Sequence, residues 1–208
     1  SHFDHYLLEE SGYLAEIMQE EYSDLNLSQA PRIIHSPDAR DALRLLSTRE
    51  FDLVITMTRV GEMDVKAFGT EAKRVIKGLP VVMLSHNTRE LATLSAGDGI
   101  DRIFVWTGDS RILLSICKLI EDERNVENDV RDGDVQVILL VEDSRRFYSA
   151  YLPLLYTQLV NQTTRLMGEG GNLHEKLLRL RARAKILLAS DMNSAKSIID
   201  RYHNNIIG

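Results

Sequence analysis

The 208-residue chain is 44% apolar with a formal charge of −6, enough apolar content for one or two cores and the wrong sign for a surface whose main partner is nucleic acid or an anionic membrane. No run approaches the roughly 18 consecutive apolar residues of a membrane-spanning helix, and the single cysteine, Cys117, excludes an intramolecular disulfide. A reducing, cytoplasmic setting fits both features, and Cys117, set in an apolar run, reads as a small buried hydrophobe. The chain opens at Ser1 rather than methionine and closes on Ile206, Ile207 and Gly208 in an apolar run, so it is expected to be a piece of a longer polypeptide whose termini carry no targeting information.

Apolar residues recur at helical spacing between Ser11 and Leu25 and between Pro37 and Arg49, where Ala39, Ala42, Leu43 and Leu46 form one face. Four β-type runs lie between and after these helices: RIIH (Arg32–His35), DLVIT (Asp52–Thr56), LPVVMLS (Leu79–Ser85) and DRIFVW (Asp101–Trp106). They are nearly continuously apolar, as strands buried on both faces must be. Their alternation with helices predicts an open parallel sheet covered on both sides. A helix from Asp109 and Ser110 through Ile120 closes this half, and the acidic EDERNVENDVRDGD (Glu121–Asp134) reads as a frayed helix end plus a linker. The pattern restarts at Val135–Val141, a buried strand ended by Glu142 and Asp143. Ser144 then caps a helix that runs to about Met167, kinked at Pro153. GEGGN breaks it, a short basic helix LHEKLLRLRAR follows, and AKILLAS leads as a strand into a helix beginning at Asp191. PRIIHSPDARDALRLL and AKILLASDMNSAKSII align without gaps, pairing Ile33 with Ile186, Asp38 with Asp191 and Ala42 with Ala195, so two copies of one alternating unit are expected.

In open parallel sheets ligands bind beyond the carboxyl ends of the strands. Glu142 and Asp143 stand at such an end, and a hard divalent cation such as Mg²⁺ would offset the repulsion between them. The same two acids also suit a helix start.

VILLVEDS resembles the first strand and acidic pair of CheY-like response-regulator receiver domains, FDLVITMTRVGEMD their third strand and following loop, and LPVVMLSH and GIDRIFVWTGD their fourth and fifth strands. The resemblance implies an α/β, doubly wound parallel sheet of the flavodoxin or CheY type in two copies, the second incomplete. Residues 1–122 would be a degenerate receiver-like domain, 123–134 a linker and 135–208 the N-terminal part of a second receiver. In such receivers an acidic pair binds Mg²⁺, an aspartate ending the third strand accepts a phosphoryl group from a histidine kinase, a Ser or Thr ends the fourth strand and a lysine ends the fifth. In the first copy the acceptor position falls on Met57, whose thioether takes no phosphoryl group. The hydroxyl is kept as Ser85, the lysine position falls on Trp106, and Ser1 sits roughly where Asp143 sits in the other copy. The first copy is therefore expected to be a pseudo-receiver with a disabled pocket of Met57, Ser85, His86 and Trp106. The second keeps Glu142 and Asp143 for a weakly held Mg²⁺, its acceptor expected a few residues past Gly208.

The implied function is a two-component phosphorelay signalling module, not an enzyme. Its implied partners are a histidine kinase or phosphotransfer protein for the complete second receiver and a downstream effector domain of the same polypeptide, with no nucleic acid and no membrane. The arrangement also resembles the receiver-like front end of bacterial proteins related to phosphoenolpyruvate synthase and pyruvate phosphate dikinase, which implies the alternative of a phosphorylation-independent regulatory front end. A nucleotide-binding domain is disfavoured because no Gly-rich turn follows any strand.

Other residues read as structural. The six histidines, His2, His5, His35, His86, His174 and His203, are scattered without ligand spacing. Lys176, Arg179, Arg181, Arg183 and Lys185 read as a solvated basic face. Tyr148, Tyr151 and Tyr156 read as one packing face of the long helix, and Trp106 as filler of the emptied pocket. Because a CheY-like sheet is ordered 2-1-3-4-5, the first copy lacks a central strand within the chain. The strand Val135–Val141 is expected to fill that slot, within one chain or by exchange, or to seal its own edge in a homodimer.

Overall fold

The computed structural model describes residues 31–86, 97, 99–166 and 183–207. The chain divides into two compact units, Arg32–Asp109 and Ser110–Gly208. The expected helices over Ser11–Leu25 and in the basic stretch before Arg183 lie outside the described residues.

In the first unit Asp38, in extended backbone, turns its carboxylate onto the Asp41 N–H at 2.8 Å and so starts helix α1 (Ala39–Thr48). Strand β1 (Val54–Met57) follows, and the stretch after it is a tight hairpin of β2 (Arg59–Val60) and β3 (Met63–Asp64), with Gly61 at φ 63° in the turn. The sequence reading of this stretch as a plain polar loop misses the hairpin, whose turn signal is the single Gly61. Asp64 then caps helix α2 (Val65–Val75) by accepting from the Lys66 and Ala67 N–H groups. Strands β4 (Val81–Ser85) and β5 (Arg102–Val105) complete a parallel sheet in the order β1-β4-β5, with Met57 opposite Leu84 and Ser85 opposite Val105. Every residue of β4 is buried, the mark of a strand covered on both faces. One face packs Val81, Met83 and Ile103 against Leu46 of α1 and Val65 and Ala72 of α2.

In the second unit helix α3 (Arg111–Gly133) leads to strand β6 (Val137–Val141), helix α4 (Arg145–Leu166), strand β7 (Lys185–Ala189) and helix α5 (Met192–Tyr202). β6 and β7 pair in parallel from Val137–Lys185 to Val141–Ala189. On its other side β6 begins a second parallel pairing: the Val137 N–H donates to the Asn205 carbonyl and the Ile207 N–H to the Val137 carbonyl. Val126 of α3, Val137, Leu187 and Tyr202 form the core between these elements.

Three expectations are corrected. The acidic stretch from 123 to 134 is no linker, because α3 runs unbroken through Gly133 and buries Asp122 and Val126; the boundary falls at Asp109 and Ser110 instead of near 122. Its charges mislead because they sit on the outward faces of a helix whose few apolar residues share one side. RIIH is not a strand: residues 31–36 have no strand partner among the described residues and Ile33 is exposed, since a β-ladder exists only where a neighbour supplies it. And within the chain β6 pairs with β7 and, at Val137, with Ile206, so the first of the three expected arrangements of this strand, filling the slot of the first sheet within one chain, is not adopted. The two aligned aspartates do the same work: Asp191 caps α5 through the Asn193 and Ser194 N–H groups and Asp38 caps α1 through the Asp41 N–H.

Helix α2 meets the turn before β5 backbone to backbone. Gly99 has φ 94°, and a Cβ there would stand 2.6 Å from the Gly69 carbonyl carbon and 2.8 Å from the Lys66 carbonyl oxygen. Gly78 shares the positive φ, at 77°, but a Cβ on it would meet nothing. Gly99→Ala is therefore expected to lower stability by well over the ~1 kcal/mol of left-handed strain alone, and Gly78→Ala by about that strain; paired urea denaturation curves check the difference.

Candidate functional site

Parallel pairing delivers the carboxyl ends of β1, β4 and β5 to one side of the first sheet. Met57 ends β1 half-buried, Ser85 ends β4 fully buried, and Trp106 follows β5 with its N–H donating to the Ser85 carbonyl at 2.9 Å. His86 lies edge-on to Trp106, ring centroids 6.4 Å apart and planes at 81°, so the indole packs against the imidazole. The residues singled out from the sequence thus sit at neighbouring strand ends, with an indole and a thioether where an anionic ligand would need charge and donors. The hairpin after Met57 adds a shallow cleft of about 510 Å³ lined by Thr58, Gly61, Glu62, Met63 and Asp64. Its two carboxylates are the wrong sign for a phosphoryl group.

At the end of β6 the Glu142 N–H donates to the Ala189 carbonyl at 2.9 Å, while the Glu142 side chain accepts from the Ser144 N–H at 2.9 Å. One of its oxygens thereby serves the start of α4, so the helix-start reading of this acid holds. Asp143 is exposed. Two adjacent carboxylates are the donor type that Mg²⁺ takes alongside several waters, and the pair fits such a loosely held ion. No group of three or more His, Cys, Asp or Glu side chains placed to hold a metal occurs among the described residues.

The densest polar constellation among the described residues is one the sequence reading missed. Asp122, fully buried on α3, accepts four hydrogen bonds: two from the Arg183 guanidinium at 2.7 and 2.9 Å, one from the Tyr156 hydroxyl at 3.0 Å and one from the Ile186 N–H at 3.0 Å. Beside it Lys185 pairs with Asp129 at 2.8 Å. Arg183 and Lys185 are buried, not a solvated face, and Arg183 also lies over the Tyr156 ring, 5.5 Å from its centroid. Burial works against the charge on Arg183, but the Asp122 carboxylate outweighs it and holds the guanidinium pKa above its ordinary value. Burial, reinforced by the same carboxylate, pushes the Tyr156 phenol well above the usual tyrosine range. Tyr148 and Tyr156 do pack inward, whereas Tyr151 is exposed and stacks on Phe147, centroids 6.1 Å apart. The only sequence clue to this cluster is that Arg183 and Lys185 flank the start of an apolar strand, where a solvated face does not belong.

Among the described residues no helix is long and apolar enough to cross a membrane. Comparison with protein-family models, curated proteins and solved structures returns no match to the chain.

Two expected outcomes follow from these environments. Asp122→Asn leaves the buried Arg183 uncompensated and should cost about 3–5 kcal/mol, read as a lowered denaturation midpoint. Burial, with Glu121 adding to it, pushes the Cys117 thiol from 9.0 to about 12, which lowers its thiolate fraction at neutral pH by about a thousandfold. A chromogenic disulfide reagent at pH 8 should therefore label native Cys117 slowly and the urea-unfolded chain at the rate of a free thiol.

Proposed function

We propose that the chain is a signalling module of the phosphorelay type built from two receiver-like, doubly wound α/β units, working in the cytoplasm and not as an enzyme. The first unit serves as a docking platform that takes no phosphoryl group; the second holds the acidic pair of a receiver, with Glu142 and Asp143 as weak Mg²⁺ ligands. The observation that carries this reading is the set of side chains at the strand ends of the first sheet. Met57, Ser85 and Trp106 end three adjacent parallel strands, so a receiver's acceptor and lysine positions are both filled by uncharged groups while its hydroxyl is kept. A thioether has no oxygen to phosphorylate, and an indole cannot neutralise a dianion. When Mg²⁺ is bound it supplies charge neutralisation for a phosphoryl group; Glu142 and Asp143 supply the oxygens that hold it. A histidine kinase or phosphotransfer protein, and an effector domain, are the partners this reading requires.

Incubation with acetyl phosphate and Mg²⁺ tests the reading. Intact mass should show no phosphoryl adduct, and Mn²⁺ added in place of Mg²⁺ should broaden the amide resonances of 142–144 selectively, an effect weakened by Asp143→Asn. A hydroxylamine-sensitive phosphoryl adduct on residues 31–109 would overturn the assignment of the first unit, and broadening elsewhere that of the second.

A further inference from the structure

The Asp122 cluster can be asked what it does beyond holding charge. It joins three elements: Asp122 and Asp129 on α3, Tyr156 on α4, and Arg183, Lys185 and Ile186 at the start of β7. The two aspartates are seven residues apart, two turns along one face of α3, with the buried Val126 between them. Two acids meet two bases, so the cluster is neutral as a whole. Asp122 accepts four hydrogen bonds, the full capacity of a carboxylate. Taking such charges out of water costs roughly what their attraction returns, so an apolar replacement of similar volume would hold the helix about as firmly. What an apolar replacement does not supply is a choice of position along the helix.

We infer that the Asp122–Arg183 and Asp129–Lys185 pairs form a register lock that fixes where α3 lies along the sheet of β6 and β7. The sequence of α3 makes the lock selective. A slip of one turn brings a residue three or four positions away to Arg183, and those residues are Lys118, Leu119, Asn125 and Val126. None is a carboxylate, and Lys118 would face the guanidinium with like charge. The apolar residues of α3 discriminate less, because Ile112, Leu113, Leu114, Ile116, Leu119 and Ile120 are all buried and of similar size. One leucine or isoleucine can take the place of another, whereas no residue three or four positions from Asp122 is a carboxylate; a slip that carries Asp132 to Lys185 leaves Asn125 at Arg183, so the choice of register rests on Asp122.

The test replaces the polar side chains and reads position rather than stability. In a Cys117→Ser background, nitroxides are attached at the exposed positions Asn128 on α3 and Lys196 on α5, and their separation is measured by pulsed electron resonance. The wild-type chain should give one narrow distance. Asp122→Leu with Arg183→Met should broaden it, and adding Asp129→Leu, Tyr156→Phe and Lys185→Met should split it into populations differing by one helical turn, about 5 Å, in a chain that remains folded by circular dichroism. A single wild-type distance in the fully replaced variant would overturn the lock, since apolar packing alone would then select the register. Loss of the fold in that variant would overturn it as well, because the pairs would then hold the unit together rather than choose among its arrangements.

Discussion

Parallel strands finish on the same side of their sheet, and the chemistry this chain can offer follows from that constraint. Because β1, β4 and β5 run in one direction, residues as far apart in sequence as Met57 and Trp106 arrive on the same side of the sheet, at the strand ends on either side of Ser85. The same rule puts Glu142 at the end of β6, with its N–H on the Ala189 carbonyl at the end of β7. A parallel ladder needs covered faces and helical crossovers, which explains why α2 lies between β1 and β4 and α4 between β6 and β7. The strand ends are left as the place where polar groups meet solvent without interrupting a core.

What occupies those ends differs between the units in a physically consistent way. In the first, the hydroxyl of Ser85 is buried, Trp106 and His86 pack edge to face, and the acids of the neighbouring hairpin face their own cleft. Such strand ends offer an aromatic pair and a hydroxyl, and no cation, to a phosphoryl group. In the second, Asp143 is exposed and Glu142, half-buried, gives one carboxylate oxygen to the start of α4.

Five of the six predicted strand runs form strands, legible because they are short, apolar and bounded by polar residues, and the strand-end residues follow from them directly. RIIH has the same composition and fails as a strand, since composition reports burial and not the presence of a partner. The helix through residues 121–133 was hidden by its acids, although Val126 and Val130 recur at helical spacing among them. Of the Asp122 cluster the sequence offered only the basic half, Arg183 and Lys185 at the start of an apolar strand. Asp122 and Arg183 are separated by 61 residues, and nothing local distinguishes an aspartate that will accept four hydrogen bonds in a dry core from the charged neighbours that face water.

One hydrogen bond in that cluster bears on association. In β7 the Lys185 N–H points to β6, where it donates to the Gln136 carbonyl, so by alternation the Ile186 N–H points outward, and it ends on Asp122 at 3.0 Å. An outward-facing N–H on an apolar strand is an invitation to pair with another chain. Here the position is occupied by a carboxylate that already holds a guanidinium and a phenol. An incoming strand would have to displace an acceptor saturated by its own protein and expose Arg183 in doing so. At this point the place a second strand would need is filled from within the chain by a buried carboxylate.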